Sequence, residues 1–197
     1  DYRVGTRRSQ FRFPETSIGI YPGLGGTQRT PRICGIECAR FVVLAGNFLD
    51  AASAKALGLL THLIEPSAVE AVVSEISSQG KPSEKYPRRP ADSGHPLVSF
   101  ATSFYCDENM PSLLSGGVPG GFDAEEKMVS RQLKSLSRTA PIALSMASEL
   151  LDAAAHSDLS SGLKSELEGL DTIFGTADSL EGLSALIEGR RPEYSGA

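Results

Sequence analysis

The sequence predicts an α/β fold that has few strands, all near its start, and a mostly helical carboxy-terminal part. Polar and aromatic residues alternate from Gln10 to Phe13, which is typical of a strand. The short apolar run "LLTHLIE", residues 59–65, predicts a second strand. Late in the chain, apolar residues recur at the spacing of one amphipathic helix: Leu159, Leu163, Leu167, Leu170 and Phe174.

The first helices follow a turn that the letters "PGLGG" require. A helix is expected to begin at Gly26 or Thr27 and to stop before Gly35. The next runs over residues 36–44, and a third, over residues 51–57, is capped by Asp50. Pro66 then begins a helix that bears four apolar residues on one face: Val69, Val72, Val73 and Ile76.

The middle of the chain differs in composition from both flanks. Residues 80–122 are rich in proline, glycine and serine, which predicts a long loop or linker with one ordered piece near residues 97–105. From Asp123 onward the chain is expected to be helical, with further helix starts at Pro141 and at Asp178 or Ser179. Three regions are therefore predicted: 1–79, 80–122 and 123–197.

Composition excludes several classes of protein. The 197 residues are 40% hydrophobic and 22% charged, which suits a globular protein with an apolar core. The net charge of −5 gives no sign of a basic surface that would bind nucleic acid or an anionic membrane. No apolar run is long enough to cross a bilayer. Three cysteines without a secretory signal predict reduced thiols and a cytoplasmic location. Cys34 and Cys38 lie one helical turn apart, but helix packing is favoured over a metal site.

Glu15 is the candidate for proton chemistry. Pro14 stiffens the backbone beside it, so the carboxylate is expected at the end of a strand, in a position suited to proton transfer. From the residues alone, a surface glutamate after a turn proline remains the favoured interpretation. "GLGGTQ" does not predict nicotinamide binding, because Gln28 stands where a dinucleotide loop needs its third glycine. The cluster Arg3, Arg7, Arg8 and Arg12 is interpreted as a solvated strand face.

Two longer stretches and the tail of the sequence favour a functional role for Glu15 over a surface position. "FPETSIGIYPGLGGTQRTPRICG" and "LAGNFLDAASAKALGLLTHLIEP" strongly resemble the crotonase family, the enoyl-CoA hydratases and isomerases, as does the tail "FGTADSLEGLSALIEGRRPEYSGA". The resemblance covers residues 1–79 and 123–197 and implies a truncated crotonase/ClpP-like α/β fold. The tail and the insertion look most like hydratase modules that are fused behind a 3-hydroxyacyl-CoA dehydrogenase. The matching residues are Pro14, Glu15, Pro22, Gly23, Gly25, Gly26, Thr27, Gln28, Arg29, Ala51, Ala54, Gly58 and Leu59.

The resemblance implies a substrate and a role for Glu15. The substrate would be an acyl-CoA thioester, and Glu15 would donate the proton to the α-carbon when water adds to the double bond. Substrate binding is expected at Pro22, Gly23, Gly25 and Gly26. The family often has a lysine that approaches the CoA phosphate where this chain has Gly189, so binding is also expected from Arg190 and Arg191. No cofactor is expected, and NAD only if the parent protein carries a dehydrogenase domain.

The resemblance also places part of the site outside this sequence. A second glutamate and two oxyanion-stabilising N–H donors are expected upstream of Asp1, so the chain is expected to be the carboxy-terminal portion of a hydratase and inactive alone. The intact protein is expected to be a trimer or hexamer. Two alternatives stay open: an isomerase or acyl-CoA hydrolase of the same family, and a non-catalytic oligomerisation module.

Overall fold

The strands are few and short, as the sequence predicts. The computed structural model describes residues 2–88 and 91–197, so any prediction that falls on Asp1, Arg89 or Pro90 lies outside the described residues. Strand β1 (Val4–Thr6) pairs in parallel with β4 (His62–Ile64), with Val4 opposite His62. Strand β2 (Gln10–Phe11) pairs antiparallel with β3 (Leu49–Asp50). These two pairs are the sheets of the described chain.

Helices make up most of the remainder. Those before the insertion are α1 (Gly26–Cys34), α2 (Ile36–Val43), α3 (Ala51–Ala56) and α4 (Val69–Gln79). The insertion contributes α5 (Pro96–Phe104) and α6 (Met110–Leu114). The carboxy-terminal part contains α7 (Lys127–Leu136), α8 (Pro141–Ala154), α9 (Leu159–Glu168), α10 (Leu170–Phe174) and α11 (Ala177–Glu188). Short 3₁₀ turns lie at Glu15–Ile18, Pro66–Ala68 and Asp107–Asn109.

The chain divides into two compact units. One contains residues 1–11 and 48–100, and the other contains residues 12–47 and 101–197. The predicted boundaries at 79/80 and 122/123 do not coincide with this division. The reason is that the second half of the insertion is not a linker: Phe104, Tyr105, Met110 and Leu113 are buried. Such large apolar side chains lose contact with water when they pack, which draws the segment into the second unit.

The first unit has a small core. Ala51 and Ala54 of α3 pack with Leu60, and Phe11 of β2 covers them. Asp50 caps α3 by accepting the N–H of Ser53, as the sequence predicts. On α4, however, only Val72 of the four predicted face residues is buried, and Val73 is 57% exposed.

The second unit has the larger core, and it holds the candidate site. Apolar side chains of α2 and α8 are buried together with those of α5: Phe41, Val42, Val43, Phe104, Ala143, Ala147 and Leu151. Helix α1 contacts α2, α8 and α9. Arg40 on α2 is 4% exposed in its side chain and pairs with Asp107 and Asp152 at 2.7 Å each, which satisfies a buried cation.

Two helix predictions need correction. The helix expected from Leu159 to Phe174 is interrupted at Gly169, and its buried face holds Gly162 and Glu166 while Leu167 is 65% exposed. The apolar spacing therefore identified a helix but assigned the wrong face to the core. The helix expected to be capped by Asp123 begins at Lys127, because Asp123 instead accepts the N–H of Glu125 in a turn. Among the described residues, no helix is long and apolar enough to span a membrane.

Candidate functional site

Glu15 is the first residue of a 3₁₀ turn, not the end of a strand. Strand β2 ends at Phe11, and Pro14 adopts a helical backbone (φ −84°, ψ −6°) that begins the turn Glu15–Ile18. The stiff backbone that Pro14 was expected to provide therefore starts a turn. The prediction that a strand delivers Glu15 was wrong in its geometry.

Hydrogen bonds hold the turn from several elements of the second unit. The Thr16 hydroxyl donates to the carbonyl of Leu44 at 3.1 Å, and Thr16 is fully buried. The N–H of Ala140, just before α8, donates to the Thr16 carbonyl at 3.0 Å. Near the end of the chain, the Tyr194 hydroxyl donates to the Ser17 carbonyl at 2.8 Å. A backbone held at this many points gives Glu15 a defined position, which proton transfer requires.

The carboxyl group of Glu15 has two unlike oxygens. Its Oε2 atom is buried and has no hydrogen-bond partner among the described residues. Burial raises the pKa of Glu15 above its ordinary value, while a hydrogen bond from its own N–H and the positive charge of Arg12 act in the opposite direction. A half-buried carboxyl with a raised pKa holds its proton to higher pH than a surface glutamate does. It is therefore suited to act as an acid.

The glycine-rich loop, residues 22–26, follows this turn, and each of its expected binding residues is in contact with the protein itself. Pro22 is buried. A Cβ atom built on Gly23 would meet the side chain of Leu170, and one built on Gly26 would meet those of Pro22 and Phe13. Gly25 has φ +87°, a conformation that side chains rarely adopt, and it precedes α1. These contacts account for the glycines through the packing of the loop.

A buried carboxylate occupies the amino-terminal end of α1. Glu166, in the last turn of α9, is 1% exposed, and its carboxylate accepts the N–H of Gly25 and the N–H of Thr27, the latter at 3.2 Å. The Thr27 hydroxyl donates to the same carboxylate. A negative charge at this position satisfies free N–H groups and opposes the positive end of the helix dipole. These three donors are therefore not free to hold a ligand anion.

The two candidate arginines have different surroundings. Arg190 binds Glu181 in a bidentate pair, with Nη2 2.7 Å from Oε2, and also donates from Nε to Glu188 at 2.6 Å. This pairing lowers the pKa of Glu181 to about 2. Arg191 instead lines a cleft of about 460 Å³ together with Ser17, Arg138 and Tyr194. Arg191 is thus the one of the two that faces open space near the turn of Glu15.

The cysteines Cys34 and Cys38 are held within helices α1 and α2. Cys38 is buried in α2, and burial raises the pKa of its thiol. The Cys34 thiol donates to the Thr30 carbonyl at 3.2 Å. Within residues 2–88 and 91–197, no group of three or more histidine, cysteine or acidic side chains is arranged to hold a metal ion.

Sequence reasoning missed Glu166 and Tyr21. The Tyr21 hydroxyl, 1% exposed as a residue, donates to the Glu166 carbonyl at 2.6 Å. Burial and the nearby Glu166 charge raise the pKa of Tyr21 to about 12. One signal was present: Gly162 and Glu166 are four residues apart and share a helix face, and a glycine there lets α9 approach α1 closely.

Comparisons with known proteins agree on one family. A sequence model described as enoyl-CoA hydratase/isomerase matches residues 1–197. The protein YngF of Bacillus subtilis (strain 168), named for the same two activities, is 28% identical over 196 residues, which is 100% of this chain and 54% of that protein. An enoyl-CoA isomerase/hydratase, fer4, of Mycosarcoma maydis is 40% identical over 84 residues, 42% of this chain and 31% of its own.

Solved structures share the fold. A carnitinyl-CoA dehydratase from Mycobacterium thermoresistibile superposes with a TM-score of 0.77 at 20% identity, over 98% of this chain and 56% of its own. An enoyl-CoA hydratase from Rhodobacter sphaeroides 2.4.1 superposes with a TM-score of 0.75 at 22% identity, over 99% and 57%. The chain therefore has the fold of these proteins and spans about half of their length.

Proposed function

Because this chain belongs to the enoyl-CoA hydratase/isomerase family, we propose that it is the carboxy-terminal portion of an enoyl-CoA hydratase. The reaction is the addition of water to a trans-2-enoyl-CoA thioester. The residue of this chain that takes part is Glu15, and the remaining catalytic groups are proposed to come from chain upstream of Asp1.

Glu15 would act as the general acid. When water adds to the β-carbon, the second glutamate that is expected upstream would take one of its protons. Negative charge then spreads to the thioester oxygen and the α-carbon, and the α-carbon must gain a proton. A carboxylic acid whose pKa is raised by burial, as that of Glu15 is, can supply it. Hydration needs no redox cofactor, so NAD would be needed only by a dehydrogenase domain in the same protein.

The observation that carries this proposal is the state of Glu15. Its Oε2 atom is buried with no hydrogen-bond partner among the described residues, and burial raises its pKa. A purely structural buried carboxylate is ordinarily satisfied by donors, as Glu166 is in this protein. An unsatisfied carboxyl on a firmly held turn is instead typical of a group reserved for a reaction.

The substrate contacts are also proposals. Pro22, Gly23, Gly25 and Gly26 shape the loop that follows Glu15, and their surfaces are proposed to border the thioester rather than to bind phosphate. Arg191 is proposed to approach the phosphates of CoA from its cleft. Arg190 would have to give up its pairs with Glu181 and Glu188 to do the same.

The test is Glu15→Gln in the full-length product of the gene. Glutamine keeps the shape of the side chain and removes the acidic proton, so crotonyl-CoA hydration should fall by about two to four orders of magnitude. Glu168→Gln is the matched control, because Glu168 is exposed on α9 and pairs with Lys164 of the same helix at 3.6 Å. Loss of the absorbance of the conjugated thioester measures the rate. A rate near wild type in Glu15→Gln would rule out the acid role.

Isomerase activity is the second candidate, since the family description and the name of the Mycosarcoma maydis relative include it. An isomerase would move the double bond of a 3-enoyl-CoA without consuming water. Assaying 3-hydroxyacyl, 2-enoyl and free-CoA products side by side separates hydratase, isomerase and hydrolase. Absence of all three products would favour a non-catalytic module.

Self-association is proposed for the intact protein. Several large apolar side chains of the second unit are exposed in the isolated chain: Leu24 (96%), Leu167 (65%), Leu180 (70%), Leu186 (60%) and Ile187 (87%). Exposed apolar surface of this kind is often covered by another chain. A trimer or hexamer is the assembly proposed, and light scattering of the full-length protein tests it.

A further inference from the structure

Both ends of the loop that follows Glu15 are bound to one residue. At the start of the loop, the Tyr21 hydroxyl donates to the backbone carbonyl of Glu166 at 2.6 Å. At its end, the N–H of Gly25 and both donors of Thr27 are bound by the Glu166 carboxylate. Glu166 is 1% exposed, so water does not compete for these bonds.

The same loop is linked to the chain just after Glu15 and to the chain just before it. After Glu15, the N–H of Ile20 donates to the Glu15 carbonyl at 3.1 Å, and Ile20 leads directly into Tyr21. Before Glu15, the ring of Phe13 lies where a Cβ atom of Gly26 would be, with Phe13 Cε1 2.9 Å from that position. A shift of the loop would therefore reach Glu15 through Ile20 and through Phe13.

The helix that carries Glu166 also reaches the loop through Leu163, whose Cδ2 atom lies 3.0 Å from where a Cβ atom of Gly25 would be. On α9, the buried residues are Gly162 and Glu166, and Gly162 brings the α9 backbone against the side chain of Gln28 on α1. The neighbouring acidic residue Glu168 is exposed and pairs with Lys164 of its own helix. Among the described residues, the hydrogen bonds that join α9 to the loop thus all involve Glu166.

We propose that Glu166 is the positioning residue that holds the loop Tyr21–Thr27, and through it Glu15, in the geometry needed for proton transfer. The inference rests on the proposed function of Glu15 and deepens it. Glu166 does not touch the reacting atoms. Its carboxylate takes the place at the α1 amino terminus that a ligand anion would otherwise occupy, so the loop is held in shape before substrate binds.

The test compares Glu166→Ala with Glu168→Gln in the full-length protein. Loss of the buried carboxylate should lower kcat for crotonyl-CoA hydration by about a hundredfold, with a much smaller change in KM. Amide hydrogen exchange should become faster at Gly25 and Thr27 in Glu166→Ala and stay unchanged in Glu168→Gln. Wild-type kcat together with wild-type exchange at both amides would overturn the proposal.

A second readout separates positioning from general loss of structure. The side-chain carboxyl of Glu15 can be titrated by ¹³C NMR. Its signal is assigned as the one that is missing from the spectrum of Glu15→Gln. Loosening the loop should admit water to Oε2 and move the titration of Glu15 to lower pH, with Arg12 as the neighbouring charge that acts in the same direction. A merely less stable protein would leave the titration of the folded fraction unchanged, and that result would also overturn the proposal.

Chemical rescue and a milder variant complete the design. Formate should restore slow exchange and activity to Glu166→Ala, whereas neutral formamide should not, because the site binds a carboxylate. If Glu166→Ala does not fold, Thr27→Val is the test, since it removes one donor to Glu166. A shift of the Glu15 titration in Thr27→Val that is reversed in Thr27→Ser supports the proposal. The absence of a shift in Thr27→Val overturns it. A wild-type protein that fails to hydrate crotonyl-CoA would overturn the proposed function alone, because the titration still tests Glu166.

Discussion

Gly182 of α11 lies directly against the backbone of Ile18 in the turn that carries Glu15. A Cβ atom built on Gly182 would lie 2.3 Å from the Ile18 carbonyl oxygen and 2.4 Å from its carbon. Gly19, in the same turn, is as close to α11: its Cβ would lie 2.4 Å from the Asp178 carbonyl oxygen. Two backbones thus meet without side chains between them, and the last helix of the chain supports the candidate catalytic turn.

Gly182→Ala should therefore destabilise the protein and disturb Glu15. Neither backbone can yield cheaply, so we expect a loss of about 1–3 kcal/mol in the free energy of unfolding. Gly120→Ala is the control, because a Cβ there meets no atom within 4 Å. Chemical denaturation of both variants measures the difference. Equal stability of the two would show that α11 does not hold the turn this tightly.

The raised pKa of Glu15 predicts how its substitution changes stability with pH. Since the pKa of Glu15 is higher in the folded than in the unfolded chain, protonated Glu15 is compatible with the fold and ionised Glu15 destabilises it. The stability that the protonated form contributes is lost as pH rises through the folded pKa. Glu15→Gln should thus raise the thermal midpoint relative to wild type at about pH 8, and this gain should shrink near pH 4. A gain that grows toward acid pH would contradict the burial of this carboxyl. Glu168→Gln should show no such gain.

Limited proteolysis should cut the two ends of the insertion before its middle. Residues 81–88 are mostly exposed, and Gly116, Gly120 and Gly121 have open space around them. By contrast, Ala101, Phe104 and Leu113 are buried. Local opening costs little where few contacts must break, so proteinase K should cleave within 81–95 or 115–126 first. Mass spectrometry of the early fragments identifies the sites, and a first cut within 96–114 or within 127–188 would contradict the prediction.

The isolated 197-residue chain should not hydrate crotonyl-CoA at a measurable rate. It spans about half of the relatives that it matches, and the oxyanion donors are expected upstream. Loss of one such donor costs about a hundredfold to a thousandfold in rate, and two are expected to be missing together with a second glutamate. The assay is run on the purified chain and repeated after addition of a separately made upstream half. Activity of the chain alone would place the whole site within residues 1–197.

Local rules in the sequence were enough to predict most elements of the fold. Gly26–Cys34, Ala51–Ala56 and Pro141–Ala154 form helices near where caps, glycines and an initiating proline predict them. These signals act over a few residues, so no tertiary contact was needed to interpret them. The resemblance of the ordered motif around Glu15 also identified the family, which the match over residues 1–197 confirms.

The faces of helices could not be predicted as well as their existence. On α9 the apolar spacing pointed to Leu159 and Leu167, yet Gly162 and Glu166 are the residues that face α1. Burying a charge is costly unless donors meet it, so the sequence pattern argues against a buried Glu166. The donors that compensate lie about 140 residues earlier in the chain.

The sequence by itself therefore determined the family, most of the helices and Glu15 as the residue to examine. Only the tertiary structure decided what surrounds Glu15: the 3₁₀ turn, its close contact with Gly182, and the loop held by Glu166. The physical reason is distance along the chain. Caps, prolines and helical spacing act between near neighbours, whereas the burial of a carboxyl group depends on elements that meet only when the chain folds.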